Sequence, residues 1–172
     1  MPAAPERRLN IHAYLAFALE PLTRHSLATL KALHAEFIRD DIAPMHAAAL
    51  LAGHRARGDY LLIITATNAF VTRPIAASLG VDDIIATEPE LKGERYTGRI
   101  VGTPSFREGK VVRLNEWLLA RSFDLAGSSF YSDSHNDLPL LEMVEQPVAV
   151  DPDDTLLKVA IERGWKVMSL RE

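Results

Sequence analysis

The sequence contains no cysteine, which removes disulfides, thiolate metal sites and a cysteine nucleophile, and suits a reducing compartment. It also lacks any apolar run approaching the ~20 residues of a membrane span. Behind Arg7 and Arg8 the apolar character is interrupted by Asn10, His12 and Glu20, so no secretory leader is read there. No basic cluster offsets the formal net charge of -4, which gives no general pull toward nucleic acid or anionic lipid. The expected setting is the cytoplasm, with neither nucleic acid nor membrane as a partner. The histidines are also uninformative: His12, His25, His34, His46 and His54 contain no pair spaced four apart, so they read as surface or core-edge residues and not as metal ligands.

What is present is an ordinary globular composition, 48% apolar and 24% charged in 172 residues. That length suits one domain, or one domain with a small appendage. Residues 10–57 read as helical, with breaks near Glu20-Pro21 and Ile42-Ala43-Pro44. Leu27, Leu30, Leu33, His34, Phe37 and Ile38 recur at helical spacing and predict one apolar stripe. Thr23 is read as the N-cap of that helix, Pro44 as a first-turn residue of the next, and Gly58 as its end.

The pattern changes at Tyr60. Residues 60–65, Tyr-Leu-Leu-Ile-Ile-Thr, form a continuous apolar run, the mark of a strand covered on both faces in a parallel sheet. A polar loop at 66–68, a helix from Val71 to Leu79 ended by Gly80, and a short strand at 84–86 follow. Residues 88–101 read as a hairpin turning near Lys92-Gly93. Phe106 to Arg121 read as a helix carrying Lys110, with Val111, Leu114, Leu118, Leu119 and Trp117 on its buried side. Ser128 to Ser132 read as a strand and Asn136 to Met143 as a helix. A strand at 147–150, a helix from Asp153 to Arg163 closed by Gly164, and a last strand at 166–169 complete the chain. Alternating strands and helices predict a three-layer α/β fold with a parallel sheet.

In such sheets ligands collect outside the carboxyl ends of the strands, where Asp133 and Asp137 flank a turn. An acidic pair there can hold a hard divalent cation through oxygen ligands. The alternative is helix capping, which accounts for one aspartate more readily than for two. Thr65 at a strand end and Lys110 at a helix start can converge on the same edge. A hydroxyl, an ammonium and a carboxylate-held cation together would grip a phosphate. Taken singly, Thr65 also reads as a strand-ending β-branched residue and Lys110 as a solvated lysine.

Ile-Ile-Thr-Ala-Thr-Asn at 63–68, Gly109-Lys110, and Ser-Asp-Ser-His-Asn-Asp-Leu-Pro-Leu-Leu at 132–141 resemble the second, third and fourth motifs of the haloacid dehalogenase (HAD) superfamily. The similarity is greatest to its subfamily IB, the phosphoserine-phosphatase-like hydrolases. The response-regulator receiver domain also uses Asp, Thr and Lys, but there the acidic residues precede the threonine. The resemblance implies a HAD-type Rossmann-like core over 58–172 and a partial N-terminal helical cap over 1–57. It implies that Thr65 binds the phosphoryl group, that Lys110 stabilises its charge, and that Asp133 ligates Mg²⁺. Asn136 and Asp137 would position the phosphate, a metal-bound water or Lys110, with Lys110 and Asp137 the catalytic pair. Asn68 and Arg107 would touch the substrate, a small phosphorylated metabolite. Phosphoserine itself is disfavoured, because the stretch after Thr65 lacks glycines that let a ligand approach the backbone.

The family's first motif is a strand ending in Asp-x-Asp-x-Thr, and nothing before Thr65 spells it. Asp40 and Asp41 fall at a helix end and Asp59 precedes its strand. That motif supplies the attacking carboxylate of a two-step phosphoryl transfer. The first core strand is thus expected to be absent, leaving two neighbouring strands without a partner at a cost of about 1 to 3 kcal/mol per buried unpaired group. Open edges of this kind predict self-association or strand exchange. The favoured expectation is a shortened version of a longer protein with Met1 an internal start. A Mg²⁺-dependent phosphomonoesterase and a non-catalytic phosphate- or metal-binding module both remain open on the sequence.

Overall fold

Asn10 starts the first helix, its side chain accepting from the Ala13 N–H at 3.2 Å. The structure, a computed structural model, describes residues 10–41 and 47–171, so Pro44 and His46 lie outside the described residues. Helix α1 (Ile11–Thr23) does not break at Glu20-Pro21 but carries Pro21 in its last turn and ends two residues later. Thr23 is consequently not an N-cap: it closes α1, its hydroxyl donating to the Glu20 carbonyl at 2.7 Å. Ser26 takes the capping role instead, accepting from the Thr29 N–H at 3.2 Å at the head of α2 (Leu27–Asp41). Of the expected α2 stripe, Leu30 is buried with Leu19 and Leu22 against Phe70, Tyr96 and Ile100. Leu33 and Phe37 stay exposed, because only part of α2 lies against other elements. Helix α3 (Ala48–Ala56) follows, and Gly58 then turns with φ 80°.

The apolar run becomes β1 (Leu62–Asn68), which absorbs the expected loop at 66–68 and loses regular register between Ile64 and Asn68. Asn68 then caps α4 (Ala69–Leu79), which ends on Gly80 at φ 65°. Strand β2 (Asp83–Lys92) runs parallel to β1 and continues directly into the hairpin with antiparallel β3 (Arg95–Val101). Helix α5 (Glu108–Arg121) begins two residues later than read, and Leu119, expected on its buried side, is exposed while Leu114 is buried. Strand β4 (Ser129–Ser132) leads into a 3-10 turn (His135–Asp137) and the short α6 (Leu138–Leu141), in place of one longer helix. Strand β5 (Gln146–Val150), α7 (Asp154–Arg163) and β6 (Lys166–Met168) complete the chain.

The architecture is α/β with parallel strands and flanking helices, but the strands form two three-stranded sheets, β1-β2-β3 and β4-β5-β6. Among the described residues no ladder joins β1 to β4, and each of these strands pairs along one edge. Side chains bridge what backbone does not. Leu62 and Ile64 of β1 and Phe130 of β4 all pack against one core of Ile85, Leu114 and Leu140. Phe130 also packs on the second core of Leu141, Ala149, Leu156 and Ala160. Burial of these apolar groups is what holds the two sheets side by side.

Candidate functional site

The loop before α5 is built around a close approach. A Cβ on Gly109 would lie 2.1 Å from the Pro104 carbonyl oxygen, so only glycine lets the chain turn into the helix here. Arg107 adopts φ 48° and ψ -122°, a conformation that favours glycine, and is held there as the residue before α5. One turn into the helix, Lys110 is buried and not solvated. Its Nζ donates to Asp137 Oδ1 at 2.6 Å, and Ser132 Oγ donates to Asp137 Oδ2 at 2.8 Å. The same two segments are clipped again where Arg107 Nε donates to Asn136 Oδ1 at 2.7 Å. Asn136 Nδ2 in turn donates to Ser134 Oγ at 3.1 Å.

The structure therefore joins Lys110, Asp137, Arg107 and Asn136 in one hydrogen-bonded group, with Ser132 as a member the sequence reading did not single out. Thr65, expected to close its strand, lies inside β1, three residues before its end. Its Oγ1 accepts from the Thr67 N–H at 3.2 Å, and no direct bond to Lys110 is present among the described residues. Thr87 ties this strand end to the α5 loop: its hydroxyl donates to the Ala66 carbonyl at 3.1 Å and accepts from the Ser105 N–H at 3.1 Å. Asn68 is buried, and its Oδ1 accepts from the Val71 N–H at 3.1 Å as the α4 cap.

Asp133 differs from Asp137 in exposure. It sits at the carboxyl end of β4, exposed, with no hydrogen bond or ion pair to its carboxylate among the described residues. Its backbone carbonyl accepts from the Asp153 N–H at 2.8 Å, which brings the β5 loop to the same rim. Asp153 holds the turn from the other side, its Oδ2 accepting from the His135 N–H at 2.7 Å and facing His135 Nδ1 at 2.8 Å. Burial pushes the Asp153 carboxyl up, but the backbone N–H groups of His135 and Leu156 and the His135 ring outweigh it and hold it below its ordinary value.

Residues 151–155, Asp-Pro-Asp-Asp-Thr, spell Asp-x-Asp-x-Thr after an apolar strand. Here the pattern has a structural use. Asp151 accepts from Ser169 Oγ at 2.7 Å and from the Leu170 N–H at 3.0 Å, and Asp153 caps α7 through the Leu156 N–H at 2.9 Å. Ser132, His135 and Asp153 all lay in plain sight in the sequence, but the bonds of Ser132 to Asp137 and of His135 to Asp153 depend on how the turn after β4 folds, which spacing does not encode.

Among the described residues no group of three or more His, Asp or Glu side chains is placed to hold a metal ion by itself. Nor is any described helix long and apolar enough to cross a membrane.

Residues 3–142 match the haloacid dehalogenase-like hydrolase family. A histidinol-phosphatase of Neisseria meningitidis serogroup C (strain 8013) is 44% identical over 171 residues, which cover 95% of this chain and 77% of that protein. A crystal structure of a protein with unknown function from Bordetella pertussis Tohama I superposes with a TM-score of 0.90 at 48% identity, covering 95% of this chain and 76% of that one. A phosphoserine phosphatase solved as a phospho-aspartyl intermediate analogue superposes with a TM-score of 0.60 over 94% of this chain and 85% of its own, at an identity of 15% that speaks to the fold alone. The chain spans about half the length of several other curated relatives. With a match running through most of its residues and a close relative along nearly its whole length, the chain belongs to the haloacid dehalogenase-like hydrolases.

Proposed function

We propose that this chain carries the phosphate-gripping half of a Mg²⁺-dependent phosphomonoesterase that acts on a small phosphorylated metabolite. The observation that carries the reading is the buried Lys110–Asp137–Ser132 group, bonded at 2.6 and 2.8 Å at the carboxyl end of β4. Lys110 is fixed by Asp137 so that its ammonium faces the rim without sampling solvent rotamers. Thr65 offers a hydroxyl donor from the middle of β1. Asn136 and Arg107 hold the turn against α5, keeping donor and ammonium in register.

The charge balance argues for a cation. Asp137 neutralises Lys110, so the pair alone offers little net attraction for a phosphate dianion. Asp133, an exposed carboxylate with no partner among the described residues, suits Mg²⁺, which takes one or two carboxylates and keeps several waters. When bound, that ion would supply Lewis-acid stabilisation of the phosphoryl oxygens. Asp133 would hold it, and the remaining residues would orient and enclose the substrate.

No Asp-x-Asp-x-Thr closes a strand before Thr65, and the copy at 151–155 is engaged in capping and turn bonds. No attacking carboxylate is assigned among these residues in this reading. The Neisseria relative makes histidinol phosphate, an amino-alcohol phosphate ester, the first substrate to try. The test is Mg²⁺-dependent release of phosphate from histidinol phosphate and from an aryl phosphate, with this chain and with an upstream-extended version. Asp133→Ala should abolish turnover by the extended form, and turnover that survives it would remove the reading.

A second reading is favoured by one specific observation, that both Asp137 oxygens and the Asn136 amide are already engaged. In that reading the chain binds phosphate or metal without turning anything over. Full turnover by the 172 residues alone would eliminate it.

A further inference from the structure

We infer that His34, Phe70 and Tyr96 form a ring-binding subsite that selects, as the alcohol part of the substrate, a planar heteroaromatic group carrying a ring nitrogen. The subsite rests on the phosphomonoesterase reading, because it takes the end of the ester that the Lys110 group does not.

The three rings line a cavity of ≈670 Å³ between α2, α4 and the β2–β3 hairpin, larger than a phosphate needs and of the size that holds a small organic molecule. It opens at the carboxyl edge of the first sheet. Asn68 of β1 pairs in register with Thr87 of β2, and the residue after each, Ala69 and Glu88, lines the cavity. The Thr87 hydroxyl also accepts from the Ser105 N–H at 3.1 Å, in the loop that leads to Lys110. Cavity and phosphate grip are thus both tied to the ends of β1 and β2, where ligands of such sheets collect.

The walls point to a flat occupant. Phe70 and Tyr96 stand edge to face with centroids 5.5 Å apart and pack on the core of Leu19, Leu22 and Leu30, so their orientation is set before a ligand arrives. The His34 ring of α2 lies 5.3 Å from Phe70, tilted by 36°. A π system gains from such rings beyond the area it buries, and an aliphatic chain does not. The second signal is polar. His34 Nε2 is shut off from solvent and has no hydrogen-bond partner among the described residues, a state that costs about 1 to 3 kcal/mol. A half-turn about Cβ–Cγ exchanges Nε2 with Cε1, so the imidazole can offer its nitrogen to an occupant without leaving the stack. Burial, with the Glu88 carboxylate nearby, pushes the Tyr96 hydroxyl above its ordinary value and keeps it a donor.

Other occupants fit less well. Among the described residues no three His, Asp or Glu side chains gather for a metal ion, and Lys31 and Arg73 at this cavity would repel one. A free anion would find Arg73 already held by Glu88 at 2.6 Å. An aliphatic chain would cover the apolar walls and leave the histidine nitrogen unpaired. A heteroaromatic ring presents faces to Phe70 and Tyr96 and a nitrogen to His34.

The experiment is an NMR titration of the 172-residue chain, in buffer containing Mg²⁺, with histidinol phosphate, ringless phosphoethanolamine, methylimidazole and inorganic phosphate. Histidinol phosphate should bind about tenfold or more tightly than phosphoethanolamine. Methylimidazole should shift the His34, Phe70 and Tyr96 resonances and leave the Lys110 amide in place. His34→Phe keeps a ring face without the nitrogen, and Phe70→Leu keeps apolar bulk without the π face. Each should reduce the preference for the imidazole ester by about fivefold or more, and a fold lost in one variant leaves the other to decide. Equal affinity for the two esters would overturn the inference. So would a preference that survives in the folded variants, or a methylimidazole titration that leaves the three rings unmoved. If methylimidazole shifts the rings while inorganic phosphate and both esters leave the Lys110 amide unmoved, the ring site stands and the phosphomonoesterase reading falls.

Discussion

The Lys110–Asp137 pair shows how one residue's meaning changes once its surroundings are known. Gly109-Lys110 was readable as a motif, but the sequence offered no reason to bury that lysine, because its partner lies 27 positions away on another element. In the fold both side chains are about nine-tenths buried. Removing one charge then strands the other in a poorly solvated place, and Lys110→Met should cost about 3 to 5 kcal/mol in a urea unfolding curve. The double change of Lys110→Met with Asp137→Leu should cost less than the first change alone, since no unpaired charge is left behind. Asp153 gives a pH-dependent counterpart. Its carboxyl is held below its ordinary value of 3.8, so its contribution is fully present above that pH and fades as the pH falls through the lower folded-state value. The stability gap between the natural chain and Asp153→Asn should therefore be constant near neutrality and shrink below about pH 4. Thermal melts across that range would read it, and a gap that widened in acid would contradict the assignment. The carboxylate is more than a third exposed, so solvent screening keeps the gap small.

At the scale of elements, the sequence was most readable where a backbone requirement is local. Gly80 and Gly164 ended their helices as expected, both with positive φ in the left-handed region. It was least readable where tertiary contacts extend or shorten an element. Helix α1 ran past Pro21, and β1 absorbed residues 66–68 because β2 continues beside it to a partner for Asn68 at Thr87. The loop into α5 combines both kinds of information. Its glycine was visible as part of a motif, but only the fold shows that Pro104 presses against it. The expected consequence is specific: Gly109→Ala forces backbone against backbone, and no flexible side chain is there to give way. It should destabilise by about 1 to 3 kcal/mol. Because the displaced segment carries Lys110, weaker phosphate binding should accompany that loss. An alanine variant with unchanged stability and phosphate affinity would contradict this account of the loop.

The whole molecule is organised around an interface between two small sheets that share side chains but no ladder. The sequence indicated the strands on either side of that interface, through the apolar run at 60–65 and the short strand at 128–132. It could not reveal that Phe130 would stand between the two cores, since a single aromatic in a four-residue strand carries no periodic signal. That position makes a test of cooperativity available. Leu156 is fully buried in one core only, with Leu141, Ala149 and Ala160. Leu156→Ala should cost about 2 to 5 kcal/mol and act mainly on the unit built from β4, β5 and β6. Phe130→Ala removes contacts from both cores, so its effect should spread to β1 and β2 although neither strand is hydrogen-bonded to β4. Native-state hydrogen exchange separates the two outcomes residue by residue. If the sheets are coupled chiefly through Phe130, its truncation should speed exchange in both and leave two transitions in denaturant where one is expected of the natural chain. Equal, uniform loss of protection in the two variants would instead mean that α5 and α6 alone bind the halves into one unit, with the open edges energetically silent.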